Sequence, residues 1–133
     1  MPVELPANAE KAAISYLAAA YPGAGFTGVT VATRVPNPRP AGALVVVRRD
    51  GGGIADVVTD VPRLNVQVWD ATVEGAHDLA VTTAQLLAEA SGVVAPGVSV
   101  REARLFSLSN VPDSATDSPR WVITCQWATR REP

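Results

Sequence analysis

Cysteine, histidine and lysine occur once each in this 133-residue sequence, and aromatic side chains are sparse: three Trp, two Tyr and two Phe. A lone cysteine cannot close an intrachain bridge, so stability has to come from a packed core. Cys125 alternates with the polar Thr124 and Gln126, the pattern of a small buried side chain in a strand and not of a reactive thiol. His77, beside Asp78, has no second histidine to work with and lies far from the cysteine, so no metal-ligand spacing arises. The carboxylates are scattered where a calcium loop would group them. Convergent titratable groups for acid–base or nucleophilic catalysis are lacking too. We therefore expect no enzyme activity, no metal and no cofactor.

Long hydrophobic runs are also missing. Arg, Asp and Glu interrupt every apolar stretch before it reaches the roughly eighteen residues that cross a bilayer, so no membrane partner is expected. The opening Met1-Pro2-Val3-Glu4-Leu5-Pro6 lacks the basic and apolar segments of a secretory signal, which predicts a protein made and kept in the cytoplasm. A formal charge of −2 and a pI near 5.3 give no overall attraction for phosphate, and the ten arginines are dispersed except at Arg48-Arg49 and Arg130-Arg131. Specific nucleic-acid binding is not expected. One lysine against ten arginines, with abundant Ala, Val and Gly, is the usage of a GC-rich genome.

What is present reads as one α+β domain spanning residues 1–133, a mainly antiparallel or mixed sheet with two helices packed on one face. Asn8 can cap a helix over 9–21, with Ile14, Leu17, Ala18 and Tyr21 at helical spacing and Pro22-Gly23 as the stop. The period-two run 29–35 predicts a first strand with Val29, Val31 and Val35 on one face. Three prolines at 36, 38 and 40 then remove backbone donors, which keeps 36–40 out of any central strand. Leu44-Val45-Val46-Val47 reads as a central strand entering a hairpin turn at Asp50-Gly51-Gly52-Gly53, with 54–59 as a candidate return. The glycines are followed by strand-like residues and lack the Gly-Lys-Ser/Thr ending, so a phosphate loop is disfavoured.

In 64–69, Leu64, Val66 and Val68 point inward and Asn65, Gln67 and Trp69 the other way. Asp70 or Thr72 caps a longer helix whose stripe is Val73, Ala76, Leu79, Ala80, Leu86 and Leu87, ended by Ser91-Gly92. Strands over 98–109 and 120–129 follow, joined by the polar turn-rich segment 110–119. Neighbouring strands are expected to be antiparallel. Trp121 and Trp127 share the parity of Ile123 and Cys125 and read as core.

Three segments carry a family likeness: Thr33-Arg34-Val35-Pro36-Asn37-Pro38-Arg39-Pro40, Thr59-Asp60-Val61-Pro62-Arg63-Leu64-Asn65-Val66-Gln67-Val68-Trp69, and Pro119-Arg120-Trp121-Val122-Ile123-Thr124. In this order, with a helix after the tryptophan strand and a Pro-Asp loop before the last strand, the chain resembles the tail terminators of long-tailed phages infecting actinobacteria. The resemblance implies a structural protein that assembles as a ring, typically hexameric, on the last ring of the major tail tube protein. It would halt tube polymerisation and offer a surface to the head–tail connector protein, with DNA passing through the ring. Its place would be the head-proximal end of the virion tail, reached from the host cytoplasm. Other phage neck proteins, such as a head–tail connector or head completion protein, share these features, and a small pocket-containing binding domain or enzyme is a further alternative.

A closed ring needs one patch meeting a different patch on the next subunit. The segments 34–40, 49–54 and 110–119 are expected to project and supply such patches. Candidate subunit or tube contacts are Arg34, Arg39, Arg49, Asp50, Arg63, Asp113 and Asp117, with Trp69 as an apolar anchor unless it packs under the long helix. For Arg34, Arg39 and Arg63 the competing reading is a solvated charge or an internal pair with Asp50, Asp56 or Asp60.

Overall fold

A computed structural model describes residues 8–54 and 59–131. Helix α1 (Ala9–Ala20) starts where the Asn8 side chain accepts from the Lys11 N–H at 3.0 Å, satisfying one of the first-turn donors left without a partner. It ends before Pro22, as the spacing predicts, and buries Ala9, Ala12, Ala13 and Leu17. Strand β1 (Thr30–Ala32) is shorter than the expected 29–35, since Thr33, Arg34 and Val35 are already exposed ahead of the prolines. β1 runs parallel to strand β2 (Leu44–Ile54), against the expectation of antiparallel neighbours. Parallel neighbours require a crossover, and the proline-rich stretch between them is that crossover.

Strand β2 pairs with β3 (Thr59–Trp69) in antiparallel register through Gly52↔Pro62, Gly53↔Val61 and Ile54↔Asp60. Asp50-Gly51-Gly52-Gly53 is therefore not the turn. It carries a bulge between Arg49 and Gly52, with Gly51 at φ 94° and Gly52 at φ 84°. A Cβ at Gly52 would run into the Val61 carbonyl oxygen and lie 2.7 Å from the Arg63 nitrogen, so only glycine fits there. Ile54 belongs to β2 and not to a return strand, and residues 55–58, which include the proposed partner Asp56, lie outside the described residues.

Thr72 caps helix α2 (Val73–Glu89), accepting from the Gly75 N–H at 3.0 Å. Ala76, Leu79, Ala80, Thr83, Ala84 and Leu87 form its buried stripe, whereas Val73, in the first turn, is 65% exposed and lies outside it. A short strand that the pattern did not announce, β4 (Gly92–Ala95), leads through a turn into β5 (Val98–Asn110), and β6 (Arg120–Arg131) closes the chain. The sheet order is β1-β2-β3-β6-β5-β4, and the fold is α+β with a mixed six-stranded sheet.

Both helices pack on one face, over Val45, Val47, Leu64, Val66, Val68, Ile123, Cys125 and Trp127, all of them fully buried. Trp121, expected in the core, is only half-buried at its margin, edge-on to His77. Two aromatic side chains hold the end of α2. Tyr16 donates its hydroxyl to the Leu86 carbonyl at 2.6 Å and Trp127 its Nε1–H to the Leu87 carbonyl at 3.0 Å. A second, smaller cluster of Leu44, Val46 and Trp69 is buried on the opposite face, which carries no helix among the described residues.

Candidate functional site

On that helix-free face, the register places Leu44 beside Trp69 and Trp69 beside Arg120. The loop from Val111 to Pro119 folds back over this end of the sheet through an Asp113↔Ser118 bridge. Its tight turn is set by Asp117, at φ 55° with its N–H donating to the Asp113 carbonyl at 2.7 Å, a left-handed conformation that aspartate tolerates better than most residues. The Asp113 carboxylate accepts from the Ala115 N–H at 3.0 Å and from Trp69 Nε1–H at 3.2 Å. These two bonds, in that order, hold its pKa below the ordinary carboxylate value against the opposing effect of burial, and Arg120 and Thr116 add to them.

The proline-rich crossover reaches the same place. Arg39 donates to Ser118 Oγ at 2.6 Å and Thr116 Oγ1 at 3.3 Å, and its guanidinium lies 3.7 Å from Asp113. Arg120 sits 5.9 Å from the Trp69 ring and donates through Nε to the Val111 carbonyl at 2.9 Å. Arg39 thus ties the proline-rich crossover to the 110–119 loop as one platform, where the sequence suggested two separate projections.

Trp69 is 4% exposed. Both sequence readings of it need correcting. Its apolar surface is already covered within the chain, which removes it as an exposed anchor, and it faces away from α2, against Leu44 and Val46. Arg49 is likewise no free contact. Its guanidinium makes two bonds to Asp60 at 2.6 and 2.7 Å, its backbone N–H donates to Glu10 at 2.8 Å, and Asp60 is 4% exposed. Hydrogen bonding to Asp60 raises the Arg49 pKa, and burial opposes it. Asp50, Asp117 and Arg34 are exposed, and Arg34 forms no ion pair among the described residues. Arg63, also exposed, has its guanidinium 4.9 Å from the Phe106 ring centre, and no internal pair with Asp60 forms.

The structure therefore gathers Arg39, Trp69, Asp113 and Asp117 and leaves Arg34, Arg49, Asp50 and Arg63 elsewhere. Sequence reasoning missed Arg120, Thr116 and Ser118, whose place depends on the non-local pairing of β3 with β6. The nearest signal was the turn chemistry of 110–119.

Little else on the surface suggests chemistry. His77 is exposed, 3.1 Å from Asp78. Burial pushes the Cys125 thiol up to about 12, so it is held as the inert thiol. Among the described residues no three His, Cys, Asp or Glu side chains converge as a metal site. A depression of about 380 Å³ beside the start of α1 is lined by Lys11, Ser15, Pro96 and Arg131 among others, without a paired nucleophile and base. No protein-family model matches the chain, and no curated protein matches it as a relative.

Proposed function

We propose that this chain is the tail terminator subunit of a long-tailed bacteriophage, which caps the tail tube as a ring, stops its growth and presents a surface to the head–tail connector. One observation carries the reading. The three segments that bear the family resemblance are far apart in sequence, yet Arg39 from the first, Trp69 from the second and Arg120 from the third meet around the 111–119 loop. A platform whose parts are tied to one another suits a ring contact, because little further ordering is needed when a neighbour docks.

The test is light scattering coupled to size exclusion, with the protein alone and with its tube protein, followed by negative-stain imaging. Rings of several subunits, or discrete caps on shortened tubes, are the expected result. A monomer that neither forms rings nor changes tube length would sink the proposal. Binding to the connector without any effect on tubes would move the chain to the head–tail connector class.

A further inference from the structure

The net charge of −2 is unevenly spread over the molecule. α1 and α2 carry Glu10, Glu74, Asp78 and Glu89 against Lys11, four acids less one base, a net of −3. On the helix-free side the pairing puts Arg48 level with Asn65 and Thr124, and Arg63 level with Gln126 and Arg104 in the next row. Arg48, Arg63 and Arg104 are exposed and form no ion pair among the described residues. Of the acids on this face among the described residues, Glu102 is level with Ala128 one row further on, and Asp113, beside Arg39, and Asp117 lie at the Trp69 end on the 111–119 loop. Phe106, at a β5 bulge and 45% exposed, has the guanidinium carbons of Arg63 and Arg104 at 4.9 and 5.9 Å from its ring centre. It steadies both cations without neutralising either.

We propose that this face holds the phosphate backbone of duplex nucleic acid, without reading its sequence. The middle of the face is the half-buried polar set Asn65, Gln67, Thr124 and Gln126. An interface with another protein would instead concentrate apolar groups at its centre. Amides and hydroxyls ringed by arginines are what phosphate oxygens accept from. Both guanidiniums, at 4.9 and 5.9 Å from the Phe106 ring centre, compete with a base for that ring, which favours a duplex over unstacked bases. Arg63 and Arg104 stand on strands either side of β6, so their backbones are about 10 Å apart, a spread that spans several phosphates of a duplex. Among the described residues no helix lies on this face to enter a groove, hence contact without sequence selection. The inference is independent of the terminator reading.

The experiment is fluorescence anisotropy of the whole protein with two labelled duplexes of unrelated sequence. Three phosphate contacts predict a slope of about −2.7 in log affinity against log salt, an approximately 40-fold loss from 50 to 200 mM salt. Both duplexes should bind alike. The combined variant Arg48→Gln, Arg63→Gln, Arg104→Gln should lose at least about tenfold in affinity at the lower salt and most of the slope, whereas Lys11→Gln, on α1 across the sheet, should bind as wild type. Far-UV circular dichroism checks folding, and should the combined variant be unfolded, Arg63→Gln alone must still remove about a third of the slope. Absence of salt-dependent binding, unchanged binding by these variants, preference for single strands, or competition by polyglutamate at equal charge in place of duplex would each overturn the proposal.

Discussion

Replacing Trp127 by Phe should unseat the end of α2. An α-helix leaves its last carbonyls without intrahelical donors, and α2 has no basic residue in its last turn to offset this. Instead Tyr16 and Trp127, from α1 and β6, donate to the Leu86 and Leu87 carbonyls, and their own rings meet edge to face at 5.8 Å. Trp127 is fully buried, so Trp127→Phe strands the Leu87 carbonyl away from water. That costs about 1–3 kcal/mol, and the smaller ring forfeits roughly 1–2 kcal/mol of packing. A total near 3 kcal/mol is a large share of the roughly 5–15 kcal/mol available to a domain, and corresponds to a melting temperature lower by about 12 °C. Tyr16→Phe keeps the ring contact, and the Leu86 carbonyl is only partly buried, so water replaces the lost donor and the cost falls to about 0.5–1 kcal/mol. Urea unfolding followed by far-UV circular dichroism measures both, with an unchanged m value expected. A Trp127→Phe variant within about 0.5 kcal/mol of wild type, or a Tyr16→Phe variant that is the more damaged of the two, would refute the capping argument.

Gly52→Ala should destabilise the β2–β3 hairpin by more than about 2 kcal/mol, because φ 84° and the Val61 and Arg63 backbone both oppose a Cβ, whereas Gly53→Ala, with nothing within 4 Å, should stay within about 0.5 kcal/mol in the same urea assay. Burial raises the Cys125 thiol and the Tyr21 phenol to about 12, from 9.0 and 10.0, the latter despite its hydrogen bond to Thr83. The unfolded chain then loses these protons first, so their stabilising contribution is intact below about pH 9 and falls as pH climbs towards 12, at up to about 1.4 kcal/mol per pH unit for each group. Unfolding curves at successive alkaline pH values test this, and Cys125→Ala should delay the onset. Asp113 carries the opposite sign: its pKa is lowered, so its contribution is present above the ordinary carboxylate value and is lost as pH falls through the lowered one. The Trp69 indole N–H resonance should report that titration, and Asp113→Asn should abolish it.

Periodicity made the local elements readable. Asn8 announced the first helix start and Asp70 or Thr72 the second, where Thr72 is the cap, and the alternation of Leu64, Val66 and Val68 gave the covered face of β3. What stayed hidden was whatever depends on pairing between distant strands. Gly51 and Gly52 carry the positive φ values of a turn, but Pro62 and Val61 pair opposite Gly52 and Gly53 and make the stretch a bulge. The parity of Trp69 separated it from the core valines correctly, yet nothing local says that a loop more than forty residues later will cover it, since Asp113 donates no periodic signal. Composition is silent on where charges meet for the same reason. Ten arginines spread along the chain look dispersed until β3, β6 and β5 lie side by side and bring Arg63 and Arg104 to one row.

Arg34 and Arg39 separate two ways in which the crossover can serve a ring contact. If the segment contributes loose charges, the exposed Arg34 is the more available of the two, and its removal should weaken assembly most. If the contact depends on a platform held in shape, Arg39 matters more, although its own donors are already engaged by Ser118, Thr116 and Asp113. The prolines at 36, 38 and 40 already limit the backbone freedom of the segment, and Arg39 fixes it to the 111–119 loop, so a docking neighbour meets a surface that has little entropy left to lose. Releasing that tie restores the ordering cost at every interface of the ring. On the platform argument Arg39→Ala should shift ring formation to at least about tenfold higher protein concentration, equivalent to about 1.4 kcal/mol per contact, with Arg34→Ala changing it less than threefold, or about 0.7 kcal/mol. Sedimentation velocity over a concentration series decides between them, and equal effects of the two substitutions would leave the platform argument without support.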